Sequence, residues 1–128
     1  MSALALIGVM TGGALGALCR YLTSLLVQMI LQGTAYTGFP LATLLVNVFG
    51  SFLLSLLFHA NTPNLSPTLQ LAIGTGFLGS FTTFSTFELD NYRLAQAGQW
   101  GWVGVYLFGN LLLGFAAIML GRVVAQRL

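Results

Sequence analysis

Residues 74–87 read Gly-Thr-Gly-Phe-Leu-Gly-Ser-Phe-Thr-Thr-Phe-Ser-Thr-Phe, a run of glycines, hydroxyls and spaced phenylalanines inside a hydrophobic stretch. Phe84 and Phe87 stand three apart, so a helix through them puts both rings on one face. A phenyl ring has a negative face and a positive edge, and two edges can stabilise an anion without a full charge that would trap it. Thr82, Thr83, Ser85 and Thr86 add hydroxyls that donate hydrogen bonds to an anion losing its water. On spacing alone the same rings also fit lipid-facing or core positions. Asn47, deep in another apolar stretch, offers two amide donors and can serve either an ion or a neighbouring helix. Tyr106 and Asn110, one turn apart, share a face and present the same choice.

Other chemistries lack their residues. The only acids are Glu88 and Asp90, and the only histidine is His59, read as an interfacial residue. No His/Cys/acid cluster has the makeup of a catalytic metal site, and no base stands at motif distance from a nucleophile. Cys19 is a lone cysteine and forms no intramolecular disulfide. These absences point away from an enzyme. A proton-coupled exporter of the small four-helix kind needs a carboxylate in its first helix, and here the only charge in that segment is Arg20.

The elements that must position these groups are membrane spans. Of 128 residues, 57% are hydrophobic and 5% charged, against about a quarter charged in soluble domains. A net charge of +2 is too small to imply a nucleic-acid partner. The first apolar segment lacks a basic start and continues past any cleavage site, so it reads as a span, not a signal peptide. Four segments, at residues 3–31, 41–58, 69–92 and 100–124, reach the length of about 20 residues that a bilayer core requires. Pro40 suits the first turn of the second, the Pro/Asn-rich run at residues 61–67 is the strongest loop signal, and Trp100 and Trp102 mark an interface. The expected fold is all-α, a single four-helix transmembrane channel domain over residues 1–128. Its third segment should break at the Gly/Thr run, because irregular backbone at membrane depth survives only where protein or a wet cavity surrounds it. Gly8, Gly12, Gly13, Gly16 and Ala17 form a small-residue row read as helix-packing scaffold.

Arg122 and Arg127 fall on one side of the membrane and Arg20 and Arg93 on the other. With two against two, the positive-inside bias vanishes and an antiparallel homodimer is open; if Arg20 is buried and does not count, a weak preference remains. Arg20 and Glu88 fall toward the same membrane face and are both read as structural; whether they pair stays open at this point.

Three stretches carry a resemblance. Residues 12–21, Gly-Gly-Ala-Leu-Gly-Ala-Leu-Cys-Arg-Tyr, residues 43–51, Thr-Leu-Leu-Val-Asn-Val-Phe-Gly-Ser, and residues 76–87 with Thr-Thr-Phe-Ser-Thr-Phe resemble the Fluc (CrcB) fluoride channels across all four spans. The resemblance implies a passive, fluoride-selective exporter in the bacterial inner membrane, built as an antiparallel dual-topology homodimer with two pores and a broken third helix. It implies pore roles for Phe84, Phe87, Asn47, Ser85, Thr86, Tyr106 and Asn110. It also implies a structural Na+ on the dimer axis, held by the backbone carbonyls of Gly79 and Thr82, and a buried structural Arg20. The chain departs from the family pattern in having Ala42 before the threonine of the second span, Gly79-Ser80 at the break, and Asn110 and Gly114 where hydroxyls are frequent. A proton-coupled exporter of small cations and a structural subunit of a larger complex are the competing classes.

Overall fold

The computed structural model describes residues 2–60 and 65–128; residues 61–64 of the Pro/Asn-rich connection lie outside the described residues. The described chain is all-helical. Helix α1, Ala3–Leu31, starts at Ser2, whose side chain accepts the Ala5 N–H at 3.3 Å and so satisfies one of the free donors of the first turn. A turn-rich connection leads to α2, Leu41–His59, behind Pro40. Gly33 sits there at φ +77°, a conformation that a side chain would strain.

The third segment is divided. Ser66 caps α3, Pro67–Leu71, with its proline at the first position, where a missing N–H costs nothing. A π-helical stretch, Ala72–Leu78, follows, then a single turn, α4, Gly79–Phe81. Thr82 and Thr83 are extended, at φ −83°, ψ 160° and φ −156°, ψ 122°. Helix α5, Phe84–Gln96, begins again behind them, and after Gly98 at φ +71° comes α6, Trp100–Ala125.

Three helices, α1, α2 and α6, are long and apolar enough to cross a membrane. Their bounds agree with the expected segments to within a residue at either end. The third expected segment, residues 69–92, forms only the shorter pieces just described, because the ladder of backbone bonds stops at Thr82.

Close backbone approach explains the glycines. A Cβ on Gly12 would overlap the Ala72 carbonyl, and one on Gly16 the Phe77 carbonyl, so α1 lies directly on the π-helical stretch. In the other half, a Cβ on Gly121 would come within 2.6 Å of the Phe52 carbonyl, which sets α6 against α2. Packing at this distance replaces the hydrophobic drive that lipid cannot supply between helices. The outward faces stay apolar, with Met10, Leu22 and Met29 on α1 and Leu112, Phe115 and Leu120 on α6 all exposed. That is a surface suited to hydrocarbon.

Candidate functional site at the helix interruption

The interruption is held by one side chain. Asn47, half-buried on α2, accepts the Thr83 N–H on its Oδ1 at 2.9 Å and donates from Nδ2 to the Thr83 carbonyl at 3.2 Å. The amide thus pairs with residue 83 as a neighbouring strand would. Thr83 N–H is the donor that would close onto the Gly79 carbonyl in a continuous helix, so its capture by Asn47 ends the first half-helix. Asn47 Nδ2 also donates to Asn110 Oδ1 at 3.0 Å, and Asn110 Nδ2 donates to the Tyr106 carbonyl at 3.0 Å. Both hydrogens of the Asn47 amide are engaged within the protomer, one of them with the neighbouring helix α6, a use the sequence left open beside an ion.

Thr83 then starts α5. Its hydroxyl accepts the Thr86 N–H at 3.3 Å and donates to the Thr86 hydroxyl at 3.1 Å. This N-cap fixes the first turn, which carries both phenylalanines. Phe84 and Phe87 do come together, with ring centroids 5.7 Å apart and planes inclined by 46°. Their surroundings differ: Phe87 is 3% exposed and packs on Tyr106 at 5.3 Å, whereas Phe84 is 72% exposed. Ser85 is exposed beside Phe84, and Thr86 is half-buried.

A cavity of about 280 Å³ opens at the interruption, lined among others by Asn47, Gly50, Ser51, Gly79, Thr82 and Phe84. Gly50 leaves room for the Thr82 side chain, which a Cβ there would strike. Ser51 faces Gly114, where a Cβ would stand 3.8 Å from the serine oxygen. A hydroxyl from α2 therefore lies beside the position where α6 has no side chain.

Toward the other end of α5, Asp90 collects hydroxyls. Its Oδ2 accepts from Thr43 at 3.0 Å and from Tyr106 at 3.2 Å, and its Oδ1 lies 3.8 Å from the Arg93 guanidinium. Tyr106 is fully buried between Phe87 and Phe39. Asn91 donates to the Phe87 carbonyl at 3.1 Å, and its Oδ1 is the buried side-chain atom left without a partner among the described residues.

One pairing left open by the sequence is not formed. Arg20 does not pair with Glu88; its Nε donates to the Ser80 carbonyl at 3.0 Å, and Glu88 is exposed. The half-helix ending at Phe81 has carbonyls without partners at its end, and a cation there is favoured both by hydrogen bonding and by the helix dipole. His59 lies at the end of α2, with its Nδ1 2.9 Å from the Ser55 carbonyl. Thr43, Ser51 and Asp90 were missed as site residues. Asp90 alone carried a signal, an acid three residues past Phe87.

No group of three or more His, Cys, Asp or Glu side chains capable of holding a metal occurs among the described residues. A cation at the interruption would draw on neutral oxygens, from the backbone, hydroxyls or amides. Gly79, deprived of the Thr83 N–H, and Thr82, in extended conformation, are suited to that by chemistry.

The model of the family described as CrcB-like protein, Camphor Resistance (CrcB), matches residues 7–122. Among curated relatives, a protein of Acidobacterium capsulatum named fluoride-specific ion channel FluC is 44% identical over 119 residues, 91% of this chain and 92% of that one. A protein of the same name from Deinococcus radiodurans is 43% identical over 118 residues, covering 91% of each chain. Another from Ignicoccus hospitalis is 42% identical over 125 residues, covering 97% of each.

Proposed function

The chain belongs to the CrcB-like family, and from that premise we propose that it is a passive, fluoride-selective channel that lets cytoplasmic fluoride leave the cell. Its relatives are named as ion channels, not enzymes, and with its three spanning helices the chain is a multi-pass membrane protein. The bacterial inner membrane is the proposed location.

The observation that carries the reading is the ring pair Phe84–Phe87 at the helix interruption, beside a cavity that holds hydroxyls and no formal charge. Fluoride is small and strongly hydrated, and it must exchange part of its water for donors of similar strength. Hydroxyls of Ser51, Ser85 and Thr86 are within the region of the rings, and the positive ring edges replace further water without binding tightly. Tyr106, packed on Phe87, and Asn110, bonded to Asn47, would back the same route from α6. Larger anions gain less from such close donors and are held back by the width of the passage. Fluoride enters cells as the neutral acid and dissociates inside, so a downhill exit for the anion suffices.

A second copy completes this route. Phe84 is 72% exposed, and Ser85, Glu88 and Tyr92 extend the exposed face of α5, polar groups that lipid would not tolerate bare. The arginine balance favours an antiparallel partner, giving a homodimer with two pores. Where the two interruptions meet, the Gly79 and Thr82 carbonyls would hold Na+, a hard cation that ties the half-helices together electrostatically.

The test is efflux from liposomes containing the purified protein. Fluoride should leave down its gradient with no proton gradient imposed, while chloride stays trapped. Equal chloride efflux, or strict dependence on a proton gradient, rejects the channel reading in favour of an unselective pore or a coupled exporter.

A further inference from the structure

We propose that Ser51 and Gly114 form a seat for a small anion one helical turn beyond Asn47, with the Ser51 hydroxyl as donor and the bare Gly114 backbone leaving room for the ion. The inference rests on the reading that fluoride crosses this protein, and it names a resting place that the ring pair does not supply.

Thr43, Asn47, Ser51 and Ser55 stand four apart on α2 and form a polar column along one face. Three of them are committed. Thr43 donates to Asp90 at 3.0 Å, Asn47 bonds Thr83 and Asn110, and Ser55 donates to the Ile118 carbonyl of α6 at 2.7 Å. Ser51 has no hydrogen-bond partner among the described residues. Hydroxyls at membrane depth usually find one in their own helix. On α1, Thr11, Thr23 and Ser24 each donate to the carbonyl four residues back, at 2.9, 2.8 and 3.0 Å. Ser51 instead is half-buried and lines the cavity at the interruption, and its oxygen is not sealed away as Asn91 Oδ1 is. A free donor in an apolar region is costly until an acceptor reaches it.

Gly114 belongs to the face of α6 that packs on α2, between the buried Asn110 and Ala117. Glycine inside a helix is less stable than alanine, and a close helix contact can offset that loss. At Gly121 the contact exists, because an added Cβ would come within 2.6 Å of the Phe52 carbonyl. At Gly114 only the Ser51 oxygen lies within 4 Å of an added Cβ, at an ordinary 3.8 Å, so packing does not require glycine there. An acceptor sits about 2.5–3.0 Å from the hydroxyl that bonds it. Placed on this side of Ser51, it would overlap a Cβ, and the absence of that carbon is the room it needs. The lining of the cavity carries no formal charge and includes Phe84, so a small anion is held by a neutral donor and leaves readily.

The test measures fluoride efflux at limiting fluoride from liposomes holding the full-length protein, beside thermal unfolding in detergent. Ser51→Ala should slow efflux about tenfold, the loss of one hydrogen bond to an ion, with the unfolding midpoint unchanged. Gly114→Ala should slow it likewise while the midpoint holds or rises, because alanine favours the helix. Combining Ser51→Ala with Gly114→Ser moves the hydroxyl to α6 and the room to α2, and should recover part of the lost rate. Ser55→Ala is the reverse control: its bond to Ile118 is structural, so the midpoint falls and efflux stays near that of the parent. Parent rates in either Ser51→Ala or Gly114→Ala, the result expected if only water rests there, overturn the proposal. So does a Ser51→Ala loss that Gly114→Ser leaves uncorrected. Should Ser51→Ala not fold, Gly114→Ala decides alone. A parent that passes no fluoride rejects the channel reading itself, a result distinct from a conducting parent whose Ser51→Ala variant conducts equally.

Discussion

Arg20 and Ser80, sixty residues apart in sequence, meet through a single bond in which the guanidinium Nε donates to the carbonyl at 3.0 Å. The charge in α1 therefore serves the end of the half-helix that stops at Phe81, and it leaves Glu88 aside. A half-buried charge is tolerated where it finds such a carbonyl and an aligned helix dipole.

Removing that charge should cost more than removing the charge of Glu88. Arg20→Leu leaves the Ser80 carbonyl unsatisfied, a penalty of about 1–3 kcal/mol. Glu88→Gln should leave Arg20 unaffected. A double-mutant cycle read by unfolding in detergent should give a coupling between Arg20 and Glu88 within about 0.5 kcal/mol of zero. A coupling well above that would restore the ion pair.

The glycine row makes a sharper distinction. Gly16→Ala drives a methyl group into the Phe77 carbonyl, and backbone cannot swing aside as a flexible side chain would. Loss of about 1–3 kcal/mol or failure to assemble is expected from such overpacking. Gly101→Ala, with nothing within 4 Å of the added carbon, should be neutral or slightly stabilising. Thermal stability of the two variants side by side is the measurement, and equal stability would show that α1 can move off the π-helical stretch.

What could be read before the structure was set by local chemistry. Apolar length placed α1, α2 and α6, and the Gly/Thr composition located the interruption, because both signals lie within the segment concerned. The π-helical stretch at Ala72–Leu78 left no such trace, since residue types repeat no differently for i→i+5 bonding than for a helix. The partners of Asn47, Arg20 and Asp90 were illegible for another reason. Thr83 is 36 residues from Asn47, Ser80 is 60 from Arg20, and Thr43 is 47 from Asp90, so the contacts depend on how helices stack. Spacing along one helix says which groups share a face, not which carbonyl waits across it. That gap left the pairing of Arg20 with Glu88 undecided.

Sodium offers a separate test of the interruption. If the carbonyls of Gly79 and Thr82 hold Na+ between two copies, protein purified and reconstituted without sodium should pass fluoride more slowly and recover when sodium is restored. N-methyl-D-glucamine, too large for a site of carbonyl oxygens, should not substitute. Undiminished efflux from protein shown by elemental analysis to carry no sodium would remove the cation from the proposal.

The rings are separable from ordinary core phenylalanines by what their replacement does. Phe84→Ile or Phe84→Met alters a side chain that is 72% exposed in the protomer, so folding has little at stake. Phe87→Ile or Phe87→Met disturbs packing against Tyr106, yet a swap that nearly conserves volume should cost less than about 1.5 kcal/mol. Each exchange removes the positive ring edge, so fluoride efflux should fall steeply while the protein still purifies intact. Phe77 and Phe81, stacked on each other at 5.8 Å and apart from the Phe84–Phe87 pair, are the controls and should tolerate the swap with efflux nearly unchanged. Were Phe84 and Phe87 variants to conduct as the parent does, ring edges would not line the path. The hydroxyls with the Asn47 amide would then have to carry the anion alone.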